Sequence, residues 1–365
     1  MNMQEQNLSI NPIIIQALQE EAVQLLQQLI TIPSLSKEEN ITADTIEAFI
    51  QTKGIKTHRK RNNVWCFNKY FDKNKPTILL NSHHDTVKPN KGYTLNPFEA
   101  VILDEKLYGL GSNDAGGALV SLLATFLYFY DKTELNYNLL YAASAEEEIS
   151  GVNGIESVLT ELEKIEFAIV GEPTQMHLAI AEKGLLVLDC VAKGKSGHAA
   201  REEGENAIYK ALKDISWFTT YQFPKISETL GPVKMTVTII HSGSQHNVVP
   251  DSCEFTVDIR TTDAYSNVEV LELVKQHVGC EITPRSLRLN PSSIDKNHPI
   301  VQAGIRLGRS TYGSPTSSDQ AVMNFTSLKL GPGDSARSHT ADEYIYLKEI
   351  EEGIKLYVQL LNEVL

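Results

Sequence analysis

Little in this chain points to covalent cross-linking or to a membrane. Its four cysteines, Cys66, Cys190, Cys253 and Cys280, lie far apart and form no Cys-x-x-Cys pair. That spacing argues against a disulfide framework or a zinc knuckle and reads as buried thiols in a reducing compartment. No run of roughly 18 or more apolar residues is present, so no segment reads as a membrane span. The opening residues, MNMQEQNLSINP, lack a charged-then-apolar signal pattern. Positive charge is also short: 33 Lys and Arg stand against 46 Asp and Glu, a formal net charge of -13. A general nucleic-acid or anionic-membrane binder needs a basic surface, and this balance argues against one. A small anionic substrate held by a few local cations is still allowed. There is no internal repeat and no low-complexity tract. The reading is a cytoplasmic, soluble protein with no nucleic-acid and no membrane partner.

What is present is a patterned globular chain. At 365 residues it exceeds the usual size of one core, so two domains are expected. Apolar residues recur at helical spacing over residues 12–31, and Pro33 ends that run. A second helix over about 42–53 stops at Gly54. Short apolar runs at 64–67, 77–82, 137–144 and 167–171 read as strands. Helices over 115–130 and about 152–162 fall between them. This alternation predicts an α/β sheet covered on both faces. After residue 181 the rhythm changes. A strand (185–192), a helix (205–221), two strands (233–240 and 254–260), a helix (267–278) and a strand (281–289) follow. That β-α-β-β-α-β order is the ferredoxin-like arrangement. The α/β rhythm then resumes with a helix (298–309), a strand (326–330) and an amphipathic closing helix (347–365). The expected division is 1–181 and 291–365 for the α/β domain, with 182–290 inserted.

The chemistry-bearing residues sit at the ends of the frame strands. Ser82, His83, His84 and Asp85 follow the run from Thr77 to Leu80. Residues two apart on a strand share a face, so His83 and Asp85 face one way and His84 the other. A His with a carboxylate on its own face suits a metal ligand and its orienter. Asp114 lies in the Gly-rich turn YGLGSNDAGG. Glu146, Glu147 and Glu148 follow the strand YNLLYAAS. Glu172 follows FAIVG, and His339 lies in ARSHTADEY. Taken singly, an acidic triplet reads as a solvated turn and Glu-Pro as a strand exit. Jointly, acids and histidines at successive strand ends converge on one sheet edge, where open α/β sheets carry their chemistry. Buried carboxylates without partners are costly, so cations are expected between them. Mixed His and carboxylate donors suit zinc, with cobalt or manganese as substitutes. Two metals sharing one carboxylate are a known hydrolytic device.

With those motifs in order, the sequence resembles the metal-dependent deacylase and peptidase family of acetylornithine deacetylase, succinyl-diaminopimelate desuccinylase, aminoacylase and carboxypeptidase G. The resemblance covers essentially the whole chain. It implies a metallopeptidase-like α/β/α catalytic domain carrying an inserted ferredoxin-like lid, through which a homodimer forms. It implies two divalent metal ions, most simply zinc. His83, Asp114 and Glu172 would hold one, and Asp114, Glu148 and His339 the other. Asp85 would orient His83, and Glu147 would be the general base. In the lid, His198 in GKSGHAA would stabilise the oxyanion. Asn247 in HNVVPD and Arg260 in VDIR would hold substrate. The triplet also allows Glu146 and Glu147 as the working pair, and His84 stands beside His83. Two positions depart from the family: Leu110 stands where many members have Arg, and Gly116 where many have Lys. The segments SPTSSDQAVM and KLGPGDSARSHTADEYI resemble the branch acting on acylated amino acids of arginine biosynthesis, such as N-acetylornithine or N-acylcitrulline. A succinyl group would want a further cation, for which Arg337, Lys183 and Arg201 are candidates. A dipeptidase or aminopeptidase of the same family is the alternative. A non-catalytic, metal-stabilised binding protein is a further one.

Overall fold

A computed structural model of the chain describes residues 11–365 apart from 163 and 202. Residues 1–10, most of the segment read as lacking a signal pattern, lie outside the described residues. The chain divides into two compact units. One runs through Ile180 and resumes for Ile294–Tyr312 and Ser318–Leu365. The other comprises Ala181–Ser293 and Gly313–Ser317.

The first unit is built on a mixed sheet. Its strands run, side by side, His58–Lys60, Asn63–Phe67, Asn138–Ser144, Thr77–His83, Ile165–Val170, Thr326–Lys329 and Leu178–Glu182. The four from Asn138–Ser144 to Thr326–Lys329 are parallel to one another. They are short apolar runs because both of their faces are covered. Ile78, Leu80, Leu139, Tyr141, Phe167 and Ile169 pack into the core shared with the helices Pro12–Ile30, Gly117–Phe129 and Leu347–Asn362. Their alternates, Leu79, Leu140, Ala142, Ala168 and Val170, face a thinner layer with Ile155, Val158 and Met323. Helix Gly117–Phe129 is apolar nearly all round and almost wholly buried, as a central helix should be. The α/β class expected from the alternation is the observed one.

Several details differ from the sequence reading. Residues 152–162 form one 3-10 turn at Ile155–Ser157 rather than a helix. There the Asn153 carbonyl accepts Asn63 Nδ2 at 2.7 Å, and its amide serves Glu146. Strand Leu178–Glu182 and a small sheet of Val101–Leu103, Lys106–Tyr108 and Tyr344–Tyr346 are additional.

The second unit has the ferredoxin-like order. Strands Lys234–Ser242, Ser252–Thr261, Gly184–Lys193 and Glu281–Pro284 form an antiparallel sheet in that spatial sequence. Gly184–Lys193 alternates buried and half-buried positions, so one face takes the helices. Those helices are Ala207–Thr220, capped by the Asn206 side chain, and Asn267–Lys275, closed by a Ser266–Glu269 capping box. The last strand stops at Pro284, well before residue 289. Lys234–Ser242 is an edge strand with exposed Ile239 and Ile240.

Candidate active site

Three of the parallel strands of the first unit, Thr77–His83, Asn138–Ser144 and Ile165–Val170, lead at their carboxyl ends into site groups. Thr77–His83 ends on His83 itself, which is buried. Its Nδ1 lies 3.0 Å from the Asp85 carbonyl oxygen and 3.4 Å from Asp85 Oδ1. The Asp85 carboxylate also accepts Ser36 Oγ at 2.7 Å and the backbone N–H groups of Glu147 and Glu148 at 3.0 and 3.1 Å. It therefore aims the imidazole and anchors the acidic turn at once. His84 turns the other way. Its ring nitrogens meet Thr42 Oγ1 and the Asn62 carbonyl, both at 2.9 Å, and burial lowers its pKa to about 4. It is a satisfied core histidine.

His83 Nε2 is buried and has no hydrogen-bond partner among the described residues. Around it stand Asp114 Oδ1 at 3.4 Å, Glu172 Oε1 at 3.7 Å and Glu147 Oε2 at 3.9 Å. Two donors bound tetrahedrally to one zinc at about 2.1 Å sit roughly 3.4 Å apart. The separations from Asp114 and Glu172 are therefore long for hydrogen bonds and right for ligands of one ion. The other oxygen, Asp114 Oδ2, faces His339 Nε2 at 3.6 Å, and His339 Nε2 lies 3.0 Å from Glu148 Oε2. Two donor sets result, His83–Asp114–Glu172 and Asp114–Glu148–His339, sharing Asp114. The orphaned imidazole nitrogen and the donor chemistry both fit a pair of divalent ions.

The acidic triplet separates by role. Glu146 has a left-handed backbone, and its carboxylate turns away to Asn153 at 3.1 Å. Glu147 and Glu148 project toward His83 and His339. Burial alone would lower the His83 imidazole, but Glu147, Asp114, Asp85 and Glu172 hold it well above its usual value. Burial raises Glu147 well above the carboxylate range, and Glu172 and Asp319 add to this against the pull of His83. Burial likewise lifts Glu172 to about 8.

Asp114 sits in the irregular turn Ser112–Gly116, ahead of the buried helix. The two departures from the resembled family are accommodated here. Leu110 is buried, and a Cβ on Gly116 would stand 2.4 Å from the Gly111 oxygen and 2.5 Å from Leu26 Cδ1. A lysine has no room at 116. Of the candidate cations, Arg337 is already committed. It pairs through both Nη atoms with Glu349, donates to the Tyr344 carbonyl and lies over the Tyr344 ring.

His198, Asn247 and Arg260 belong to the second unit. His198 and Asn247 share a two-stranded ribbon, where Gly197–His198 pairs Val248–Val249 and Ala199 N donates to the Asn247 carbonyl at 3.0 Å. His198 is exposed, and its Nδ1 accepts Ala200 N at 3.1 Å. Arg260 lies apart on the central sheet. Asp258 holds its Nε at 2.8 Å and its Nη2 at 3.1 Å.

Comparison with known proteins places this geometry. The model of peptidase family M20/M25/M40 matches residues 79–363. The chain belongs to that family. M20 members are metal-dependent hydrolases, so this chain is one. The family works with two metal ions, and the donor sets around Asp114 are a candidate site for them. Among curated relatives, succinyl-diaminopimelate desuccinylase 2 of Ruegeria sp. (strain TM1040) is 26% identical, covering 94% of this chain and 95% of its own. The LysW-lysine/LysW-ornithine hydrolase of Sulfurisphaera tokodaii is 28% identical, covering 93% and 94%. Among solved structures, aminopeptidase PepT of Bacillus cereus ATCC 10987 has the same fold, with a TM-score of 0.76 at 18% identity and coverage of 95% and 98%. No helix among the described residues of this M20 chain is long and apolar enough to cross a membrane.

Sequence reasoning missed three residues that shape the M20 site. Ser36 donates to Asp85. Asp319 accepts Ser144 Oγ at 2.5 Å behind the acidic turn. Glu343 accepts backbone N–H groups of the Asp114 turn. All three reach their partners across long sequence separations that no local pattern encodes.

Proposed function

We propose that this chain hydrolyses the linear amide between a small acyl group, acetyl or succinyl, and the nitrogen of an amino acid of the ornithine or citrulline type. One observation carries the reading: a single carboxylate, Asp114, turns one oxygen to His83 and the other to His339, with Glu147 beside them. The names of the desuccinylase and LysW-ornithine hydrolase relatives favour acyl-amino-acid substrates over large peptides.

In this reading His83, Asp114 and Glu172 hold one ion and Asp114, Glu148 and His339 the other. Zinc suits these donors best, with cobalt or manganese as substitutes. Two such ions supply Lewis acidity, which acidifies water and polarises a carbonyl. Asp85 keeps His83 in the tautomer whose Nε2 is free to ligate. Glu147 takes a proton from the attacking water as the new C–O bond forms. It returns that proton to the amine nitrogen as the C–N bond breaks. His198 donates to the developing oxyanion. Arg260, held flat by Asp258 through one edge, offers its remaining Nη1 to a substrate carboxylate, and Asn247 binds a substrate carbonyl. The protein acts in the cytoplasm as a homodimer joined through the lid, residues 182–290. The four buried free thiols and the long, exposed edge strand Lys234–Ser242 support those two points.

The test is release of free amine from N-acetylornithine, N-acetylcitrulline, their N-succinyl counterparts and a set of dipeptides, with added zinc or cobalt and with a chelator. Chelator-sensitive cleavage of one acyl amino acid is expected. Cleavage of dipeptides alone moves the chain to a dipeptidase or aminopeptidase role. Absence of any cleavage by metal-loaded protein overturns the substrate assignment.

A further inference from the structure

Glu343 is 2% exposed and lies four residues beyond His339. It belongs to neither donor set. Its carboxylate instead collects three backbone N–H groups from one turn. Gly111 N donates to Oε2 at 3.1 Å, and Asn113 N and Asp114 N each donate to Oε1 at 2.8 Å. The Glu343 carbonyl accepts a fourth, from Gly109 N at 3.0 Å. The turn needs such a partner. Asp114 has φ -115° and ψ 99°, outside helical values, so the donors at 113 and 114 are not absorbed by a regular ladder. Next to Glu343, the Asp342 carboxylate accepts Thr94 N and Leu95 N at 2.8 and 2.9 Å and so ties down the same segment from the other side.

We propose that Glu343 is a positioning residue for Asp114, fixing the carboxylate that both donor sets share. The inference rests on the reading of Asp114 as that shared ligand. A carboxylate receiving several N–H groups is a strong, directional clamp, because each bond is charge-assisted. Glu343 also follows His339 in one short segment. One side chain thus sets the spacing between two ligands that are more than two hundred residues apart in sequence. A glutamine in its place offers one acceptor oxygen and an NH2 group. At least one N–H of the turn then meets a donor, and the turn shifts.

The experiment compares wild type, Glu343→Gln, Glu343→Asp and Glu349→Gln. Glu349 holds Arg337 in the same C-terminal segment and makes no hydrogen bond to the turn. It therefore serves as a control for general destabilisation. Each protein is stripped with chelator and titrated with Co2+, followed by calorimetry and visible absorption, and its thermal midpoint is recorded. Wild type should take up two ions. Glu343→Gln should bind about 10–100-fold more weakly, the range found when a group supporting a metal ligand is removed. Its cobalt spectrum should change, and its kcat should fall at near-constant KM and recover with excess metal. Glu349→Gln should lose thermal stability while keeping wild-type stoichiometry and spectrum. If Glu343→Gln does not fold, Glu343→Asp carries the comparison, since it keeps the charge but withdraws it by one methylene. A Glu343 variant that loses only stability, with wild-type affinity and spectrum, overturns the proposal. A wild type that holds fewer than two ions overturns the shared-ligand reading itself, and is recognised before any variant is considered.

Discussion

Replacing Asp85 with alanine should damage this protein twice, once in stability and once in catalysis. The carboxylate is 1% exposed and is the acceptor for Ser36 Oγ and for the backbone N–H groups of Glu147 and Glu148, with His83 Nδ1 3.4 Å away. A buried donor left without its acceptor costs roughly 1–3 kcal/mol. The two backbone donors belong to half-buried residues, so the low end applies, and together they cost about 2 kcal/mol. The serine hydroxyl and the imidazole bring the expected loss to about 3–5 kcal/mol. That is a large share of the roughly 5–15 kcal/mol that keeps a protein folded, yet the variant should still fold. Asp85→Asn keeps the volume but turns an NH2 toward donors, so it should fall between wild type and alanine. Urea unfolding of chelator-treated protein reads the stability, as a lower midpoint at unchanged slope. In metal-loaded protein kcat/KM should drop about 10–100-fold. An alanine variant within about 0.5 kcal/mol of wild type, the ordinary scatter of a surface substitution, would refute the idea that this carboxylate holds the acidic turn.

Three further outcomes are expected. Glu147→Gln should keep both metal ions, by elemental analysis, and lose about 10²–10⁴-fold in kcat; unchanged turnover removes Glu147 as the base. Chelated protein should gain stability as pH falls from about 8 to about 5, by thermal melting. Glu172 titrates near 8 in the fold, against an ordinary 4.5, because burial disfavours its charge, so the folded state holds more protons across that window. His83, held above its usual value by its carboxylates, contributes in the same direction, and zinc should flatten the profile by displacing those protons. Ile240→Lys on the exposed edge strand should convert the proposed dimer to a monomer in light scattering without changing metal content; a variant that stays dimeric removes that strand from the interface.

The frame was readable because its strands are buried on both faces. Ile78, Leu79 and Leu80 sit at adjacent positions yet pack on opposite sides, and this leaves an uninterrupted apolar run. The groups gathered around Asp114 were readable for a related reason: strand ends of a parallel sheet meet at one edge, so His83, Glu172 and the acidic triplet needed only their strands to be found, while the choice of Glu147 and Glu148 within the triplet came from the family resemblance. Other features had no local trace. The hairpin joining Val101–Leu103 to Lys106–Tyr108 turns on Asp104 and Glu105, both left-handed, where a glycine or asparagine signal would be looked for. The helix expected over 152–162 has the right apolar spacing, but the polar groups of Asn153 are taken by Asn63 and Glu146. Glu343 reads as one acid in a polar stretch, and its meaning comes only from a turn some 230 positions earlier.

The strand order of the first unit also bears on how the chain is made. Thr326–Lys329 lies between Ile165–Val170 and Leu178–Glu182, although the whole second unit is synthesised before it arrives. Until then the edge of Ile165–Val170 waits unpaired, an apolar template for wrong partners. Closure of the sheet depends on a contact of long sequence separation, which folds slowly. A growing chain should therefore display a finished second unit beside an open half-sheet, and chaperone dependence should concentrate in that interval. The Asp114–Glu148–His339 donor set can assemble only once His339 has emerged, so its completion should be a late event in the synthesis of each molecule.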